Sequence, residues 1–418
     1  MRLQRKYALL KYYERNQQKS QTKFMKTGYS IRTWRMRLVC PEPIWLDRTE
    51  EYFQNVVEFY YHLLRQHEEL WNSSLFDIQR SLELLTLAGR DGRQPTNPLP
   101  MGKVPVYLRR AAINKASATV KSTQELQSGF PEKLEAKVTF FKGMYSDLTD
   151  RSICLKLWNG EKWIWTDCNL KGRPFPQDGQ LMSPTLVKEG RRYLLNIPVK
   201  QENSDARTAK ERMAEGTNLC SVRFTNTDTF AVCCILDEQG KQLAVHTCRG
   251  GDAYRHRCKL LETRIQKSRP NTVGDNSPQP NRKYYMHLKN LSEHYAHQVS
   301  REILNFCKEN QAGIIVLPNY DQNFTRMAMV KSGNFSPLHL SSKIRTNLQY
   351  KAWAEGILVL ETRTDGLKDK CAICGGKVRR KGNEFLCENG HQGNRFLNDA
   401  RNLGRKCQDS FFRVSRTK

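Results

Sequence analysis

Residues 385–406 read FLCENGHQGNRFLNDARNLGRK, and two kinds of chemistry meet there. Cys387 and His391 close a donor set that opens upstream, giving Cys371-x2-Cys374-x12-Cys387-x3-His391. Three thiolates and an imidazole in two close pairs, each able to span an edge of a tetrahedron, form the donor set of a structural zinc. All four positions are filled, so this ion would have no open site for chemistry. The glycines of CAICGG, residues 371–376, let backbone N–H groups turn toward sulfur. Cys407 is the substitute fourth donor if His391 faces away. Downstream the run becomes helical, and Asp399 follows Phe396 within one turn.

The charge of the whole chain narrows the partner. In 418 residues, 69 Lys+Arg stand against 42 Asp+Glu, a formal +27, which points to a polyanion. Seven Trp and 16 Tyr add stacking faces to that charge, so nucleic acid is the expected partner. No apolar run approaches the roughly 18 residues of a membrane span, and MRLQRKYALLKYYERN lacks a signal-peptide core. The expected location is cytoplasmic and nucleoid-associated. Thirteen cysteines scattered through a long chain suit a reducing compartment with free thiols and a metal site.

Periodicity organises the rest. Residues 1–26 hold eight Lys/Arg and one acid and read as a basic arm. YSIRTWRMRLV (29–39) alternates as a strand and stops before Pro41, whereas Phe53, Val57, Tyr60, Leu64, Ile78 and Leu82 recur at helical spacing. A second helix, within 98–122, carries Arg109, Arg110, Lys115 and Lys121, which could meet phosphate or simply face water. LEAKVTFF (134–141), SICLKLWN, KWIWTDCNL and YLLNIPVK read as strands of an antiparallel barrel or sandwich interrupted by the helices. A charged helix over 201–216 precedes LCSVRFTNTDTFAVCCILDEQGKQLAVHTC (219–248), a β-meander with turns at 225–228 and 237–241. Then come a basic stretch with Arg255, Arg257, Lys259, Arg264, Lys267 and Arg269, a linker over 265–283, and a helix over 287–308. GIIVLP is a buried strand, and LQYKAWAEGILVLETR gives helix, glycine stop and strand, the alternation of an α/β sheet.

With those parts in order, the chain from about Tyr29 to Cys407 resembles the TnpB nucleases and the compact type V CRISPR (Cas12-like) effectors. LQYKAWAEGILV, the CAIC and CENGH pairs and NRFLNDARNLGRK carry the likeness. The resemblance implies an α+β multidomain chain. A basic arm (1–28) would lead to a wedge β-barrel that binds oligonucleotides (29–46 and 125–215), with a helical recognition lobe inserted (47–124). An RNase H-like (RuvC) α/β domain (216–366) would follow, interrupted by a zinc ribbon (367–392) and closed by 393–418. Guide RNA and a double-stranded DNA target are the implied partners, with the basic residues of 98–122 and 254–269 as contacts. Transcription or transposition proteins are further candidates, no membrane is involved, and a homodimer stays open.

In that family three carboxylates hold two magnesium ions about 4 Å apart, which clamp the attacking and leaving oxygens. The corresponding places here are Phe224, Pro318 and Phe396, none of which binds a metal ion. Structural zinc is therefore expected and magnesium at the RuvC site is not. The leading expectation is RNA-guided DNA binding without cutting, with the two rings packed into the space the ions left. One alternative is an active endonuclease using the displaced acids Asp228, Asp321 or Asp399; another is a protein that binds nucleic acid without a guide. Asp228 would lie about 13 Å from Phe224 if the strand stayed extended.

Overall fold

The computed structural model describes residues 28–89, 91–176, 178–268, 281–320 and 336–413, which leaves Arg269, Asp321 and nearly all of the basic arm outside the described residues. The chain forms two compact units, 31–201 and 1–30 with 202–418.

In the first unit, strand β1 (Tyr29–Val39) leads into helix α1 (Pro43–Gln66), where Pro43 stands in the first turn and needs no N–H partner. Leu46, Phe53, Val57, Tyr60 and Leu64 form its buried stripe. Helix α2 (Leu75–Thr86) is capped by Ser74, which accepts from Asp77 N, and Tyr60 Oη pairs with Thr86 Oγ1 at 3.0 Å. Helix α3 (Val106–Leu126) completes the helical layer. The strands β2 (Tyr145–Ser146), β3 (Ser152–Trp158), β4 (Trp163–Lys171), β5 (Gln180–Leu181), β6 (Thr185–Glu189) and β7 (Arg192–Glu202) follow. Their order is β2-β3-β4-β1-β7-β5, with β6 also paired to β7. Alternate residues of the sheet, among them Met36, Leu38, Leu155, Leu157, Leu195 and Ile197, share one apolar core with the three helices.

The expected strand at 134–141 differs in kind. Leu134, Ala136, Val138 and Phe140 are buried in alternation, but pairing is limited to Phe140 N to Pro184 O, Leu186 N to Val138 O and the Thr139–Thr185 bridge. Burial of one face holds this segment extended, and its few bonds tie the stretch before β2 to β6, which curls the sheet.

The second unit is built on a five-stranded sheet. Helix α4 (Ala209–Ala214), with a Thr208/Glu211 capping box, is shorter than the expected 201–216 because β7 continues through Glu202. Strands β8 (Leu219–Phe224), β9 (Thr229–Leu236) and β10 (Gln242–Arg249) form the meander. Helices α5 (Gly251–Lys267) and α6 (Arg282–Glu309) extend into the expected linker from both sides. Asn281 explains the early start of α6: it takes a left-handed φ of 70° and its side chain bonds Ile265 O and Ser268 Oγ. Strand β11 (Ile314–Asn319), helix α7 (Ser341–Trp353) and strand β12 (Leu358–Arg363) follow, with Gly356 at φ +73° ending the helical turn.

The sheet order is β10-β9-β8-β11-β12, with β8 antiparallel to β9 and β11 parallel to both β8 and β12. β8 and β9 are buried along their whole length, as expected of strands covered on both faces. One face packs on α5, α6 and α7. The other meets helix α8 (Arg395–Arg413), where Gly404 lets the helix come close: a Cβ there would stand 2.5 Å from Leu236 Cδ1. A small sheet of β13 (Val378–Lys381), β14 (Glu384–Cys387) and β15 (Gln392–Asn394) precedes α8.

Arg212 ties the strand starts together. Its fully buried guanidinium donates to Gly313 O (2.7 Å), Gly356 O (2.6 Å), Asp205 O (2.6 Å) and Arg207 O (3.2 Å). Arg212→Ala strands these carbonyls, so urea denaturation should show a loss of about 3 kcal/mol or more. An unchanged midpoint would show that water replaces the guanidinium.

Candidate functional site

The site region begins at the start of α8. Asn394 Oδ1 accepts from Phe396 N (2.9 Å) and Leu397 N (3.1 Å), so the side chain caps the helix. One turn on, Asn398 Oδ1 accepts from Ala372 N and its Nδ2 donates to Lys370 O, both at 2.8 Å. Asn402 Nδ2 donates to Leu367 O (3.0 Å) and Lys370 O (2.8 Å). Asn398 and Asn402, two of the three asparagines of NRFLNDARNLGRK, thus fasten α8 to the loop that enters the first cysteine pair. That positioning role was not read from the sequence.

Cys371, Cys374, Cys387 and His391 converge, their donor atoms all within 4.8 Å of one another. Cys374 Sγ and Cys387 Sγ are 3.3 Å apart. N–H groups point at sulfur: Ile373 N to Cys371, Asn389 N to Cys387 and Asn389 Nδ2 to Cys374. Bonds from the Asn389 side chain and then the Gly376 backbone lower the Cys374 thiol to about 6. His391 Nδ1 is buried without a hydrogen-bond partner. A thiol poised as thiolate and an unused ring nitrogen fit a cation such as zinc. Cys407, the substitute donor, instead lies in the core between the sheet and α8.

The positions that the resemblance matches to metal-binding acids, Phe224, Pro318 and Phe396, do not all share a face. Along β8, Cys220, Val222 and Phe224 point to the α5–α7 side, while Leu219 lies in the core with α8 and Arg223 reaches Asp399 on that helix. Strand alternation turns Arg223, rather than Phe224, to α8. The two rings do not fill one space as a pair. Phe224 lies beside Tyr320 (centroids 6.5 Å apart), and Phe396 lies under the Arg395 guanidinium at 4.6 Å. Pro318 pairs with Thr362 in the sheet, and its carbonyl accepts from Arg345 Nη2 at 3.1 Å.

Asp399 is 1% exposed. Arg223 Nε donates to its Oδ2 (3.2 Å) and Arg380 Nη2 donates to its Oδ1; Arg223 Nη1 also donates to Tyr320 Oη. Further cations act on the same group. Burial first, then Arg380, lowers the pKa of Arg395, and burial followed by Arg223 lowers that of Lys368. Arg345 is matched to Glu361 at 3.4 Å. The surroundings of Asp399 are cationic, the reverse of what a divalent ion needs.

Asp228 corrects a distance. The chain turns after Phe224, with Thr225 N bonded to Phe230 O at 3.0 Å, so Asp228 sits in a hairpin instead of an extended strand. It borders a cleft of about 150 Å³ with Asn383, Asn394 and Phe396.

The basic residues also divide. Arg109 is buried, and both it and Arg110 bond Glu83, while Lys121 Nζ caps Ser73 O at 2.9 Å. Lys115 is exposed. Arg109 therefore neutralises an internal acid instead of meeting phosphate. On α5, Arg255 braces the hairpin through Asn226 O (3.1 Å) and Thr227 O (3.2 Å), whereas Arg257, Lys259, Arg264 and Lys267 are exposed. Arg257 and Arg264 line a groove of about 470 Å³ with His287, Asn290 and His294 of α6. No described helix is long and apolar enough to cross a membrane.

A family profile described as the Aq_aa04 family matches residues 30–159. No curated protein matches the chain. Among solved structures, the chain is similar to Cas12f1 in its complex with sgRNA and target DNA, at 12% identity and a TM-score of 0.51, over 90% of this chain and 99% of that one. It is equally similar to the mini-RNA-guided endonuclease CRISPR-Cas_phi3, at 10% identity and a TM-score of 0.51, over 90% of this chain and 92% of that one. These likenesses establish the fold: a mixed α/β chain of the TnpB/Cas12 kind.

Replacing Asp399 separates structural from catalytic roles. Asp399→Ala leaves two guanidinium groups without their shared anion and should cost about 3–5 kcal/mol in chemical denaturation. A catalytic carboxylate would instead be lost with little change in stability.

Proposed function

We propose that this chain is an RNA-guided DNA-binding protein that holds its target without cutting it. The observation that carries the reading is Asp399, the acid expected to be nearest a metal pair, saturated by Arg223 and Arg380. A two-metal clamp needs several free oxygen ligands at one place. Here Arg223 occupies the α8-facing position on β8, Phe396 opens α8, and Pro318 ends the buried part of β11.

The layout proposed with this function is a wedge barrel (29–46 and 125–215), a recognition lobe (47–124), a RuvC-like domain (216–366) and a closing segment (393–418). The strand order β10-β9-β8-β11-β12, a meander followed by parallel strands, supports the RuvC-like part. Guide RNA would read the target by base pairing while the protein holds the heteroduplex. The solved relatives' complexes with guide RNA and DNA support those partners. The exposed Arg257, Lys259, Arg264 and Lys267, with Lys115, are the proposed phosphate contacts. Binding without cleavage suits occlusion of a promoter or recruitment of transcription or transposition proteins.

With its own guide RNA and a matching duplex, the protein should protect the target in footprinting and leave both strands intact in magnesium or manganese. Guide-dependent cleavage that disappears in Asp228→Ala would overturn this reading in favour of the endonuclease. Binding that persists after ribonuclease treatment, with no defined RNA in the purified protein, would favour a protein without a guide.

Residues 367–392 are proposed as a zinc ribbon on the strength of the clustered cysteines and the unused His391 nitrogen. Cys371→Ser should lower bound zinc by about one ion per chain and unfold the small sheet, because structural zinc supplies folding free energy directly. Equal zinc in the variant and the parent protein would exclude the ribbon.

A further inference from the structure

A second donor cluster lies at the edge of the five-stranded sheet. His246 and Cys248 are two residues apart on β10, so their side chains share one face, and Glu302 of α6 meets them there. Their donor atoms lie within 4.8 Å of one another. His246 Nε2 and Glu302 Oε1 are 2.6 Å apart, and the Phe306 ring, one turn beyond Glu302, rests against the imidazole at 5.2 Å. Cys248 is fully buried, whereas the His246 and Glu302 side chains are about one-third exposed (35% and 32%). Cys233 lies directly across from His246 in the β9–β10 ladder, and its thiol contacts Cys248.

We propose that His246, Cys248 and Glu302 form a second metal site, for a borderline-soft divalent ion of the zinc class. Imidazole, thiolate and carboxylate together match zinc or cobalt(II) and poorly suit magnesium or calcium, which seek oxygen ligands alone. Three protein donors leave a fourth position, which water can reach from the exposed side. An ion would take the place of the hydrogen bond between His246 and Glu302 and would release the thiol proton of Cys248 to solvent.

The site has a structural consequence. β10 is the edge strand of its sheet, with Leu243 (51% exposed) and Val245 (40%) on its open face. A metal bridging β10 and α6 pins that edge strand to the helix layer and opposes pairing of the edge with another chain. This inference does not depend on guide binding or on the state of the Asp399 cluster.

The test uses the full-length protein. Metal content is measured on the purified chain, on His246→Ala and on Glu302→Gln, whose partly exposed positions allow folding where Cys248→Ser could fail. Each variant should carry about one zinc fewer per chain than the parent. After removal of metal with a chelator, cobalt(II) titration should give a thiolate charge-transfer band that weakens in His246→Ala and persists, reduced, in Cys371→Ser. Addition of zinc should raise the Tm of the stripped parent by more than that of stripped His246→Ala. Unchanged metal content and an unchanged cobalt titration in His246→Ala would overturn the proposal and leave a histidine–glutamate hydrogen bond.

Discussion

The second unit depends on one buried carboxylate. Asp399 accepts from Arg223 of β8 and Arg380 of β13, so a single side chain joins the central sheet, the C-terminal helix and the small cysteine-bearing sheet. Burying Asp399 and Arg223 with a half-buried Arg380 is expensive, and attraction between them offsets the cost only with good geometry and further hydrogen bonds. The added bond from Arg223 to Tyr320 meets that need. Asn398, in the same helical turn, extends the anchoring to the loop at Cys371, so helix and cysteine cluster are positioned by neighbouring residues.

That arrangement also decides what the region can do. A pair of divalent ions is held by oxygen atoms whose negative charge compensates theirs. Here Asp399, the one buried acid among the described residues, is already compensated, and Arg395 and Lys368 add positive charge around it. The fold is of the kind seen in Cas12f1, and the charge at this place is positive around a single buried acid. Arg212 plays a comparable mechanical part at the other end of the sheet, satisfying carbonyls that precede β11 and β12. Stability in this unit therefore leans on arginines that look, in the sequence, like more of the nucleic-acid surface.

Much of the architecture is legible from periodicity alone. The meander over 219–248, the buried strand GIIVLP and the helix, glycine and strand of LQYKAWAEGILVLETR all occur where the pattern puts them. The stretch 134–141 shows the limit: its alternation is real, but whether a partner strand lies alongside for its whole length depends on residues near 185, far away in sequence. Charge is less legible still. Arg109 and Arg255 belong to the same basic runs as exposed neighbours, yet each meets an internal partner, Glu83 or the carbonyls of the hairpin.

By itself, the sequence determined the kind of fold and the close pairing of Cys371, Cys374, Cys387 and His391, because those follow from residue type and local spacing. Only the tertiary structure decided which side of β8 faces α8. A strand reverses its side chains at every residue, so a one-residue difference exchanges Phe224 for Arg223, and nothing local fixes it. Asp399, Arg223 and Arg380 come from three separate stretches of chain, as do His246 and Glu302 from two. Such meetings are made by the packing of helices on a sheet, and no spacing along the chain records them.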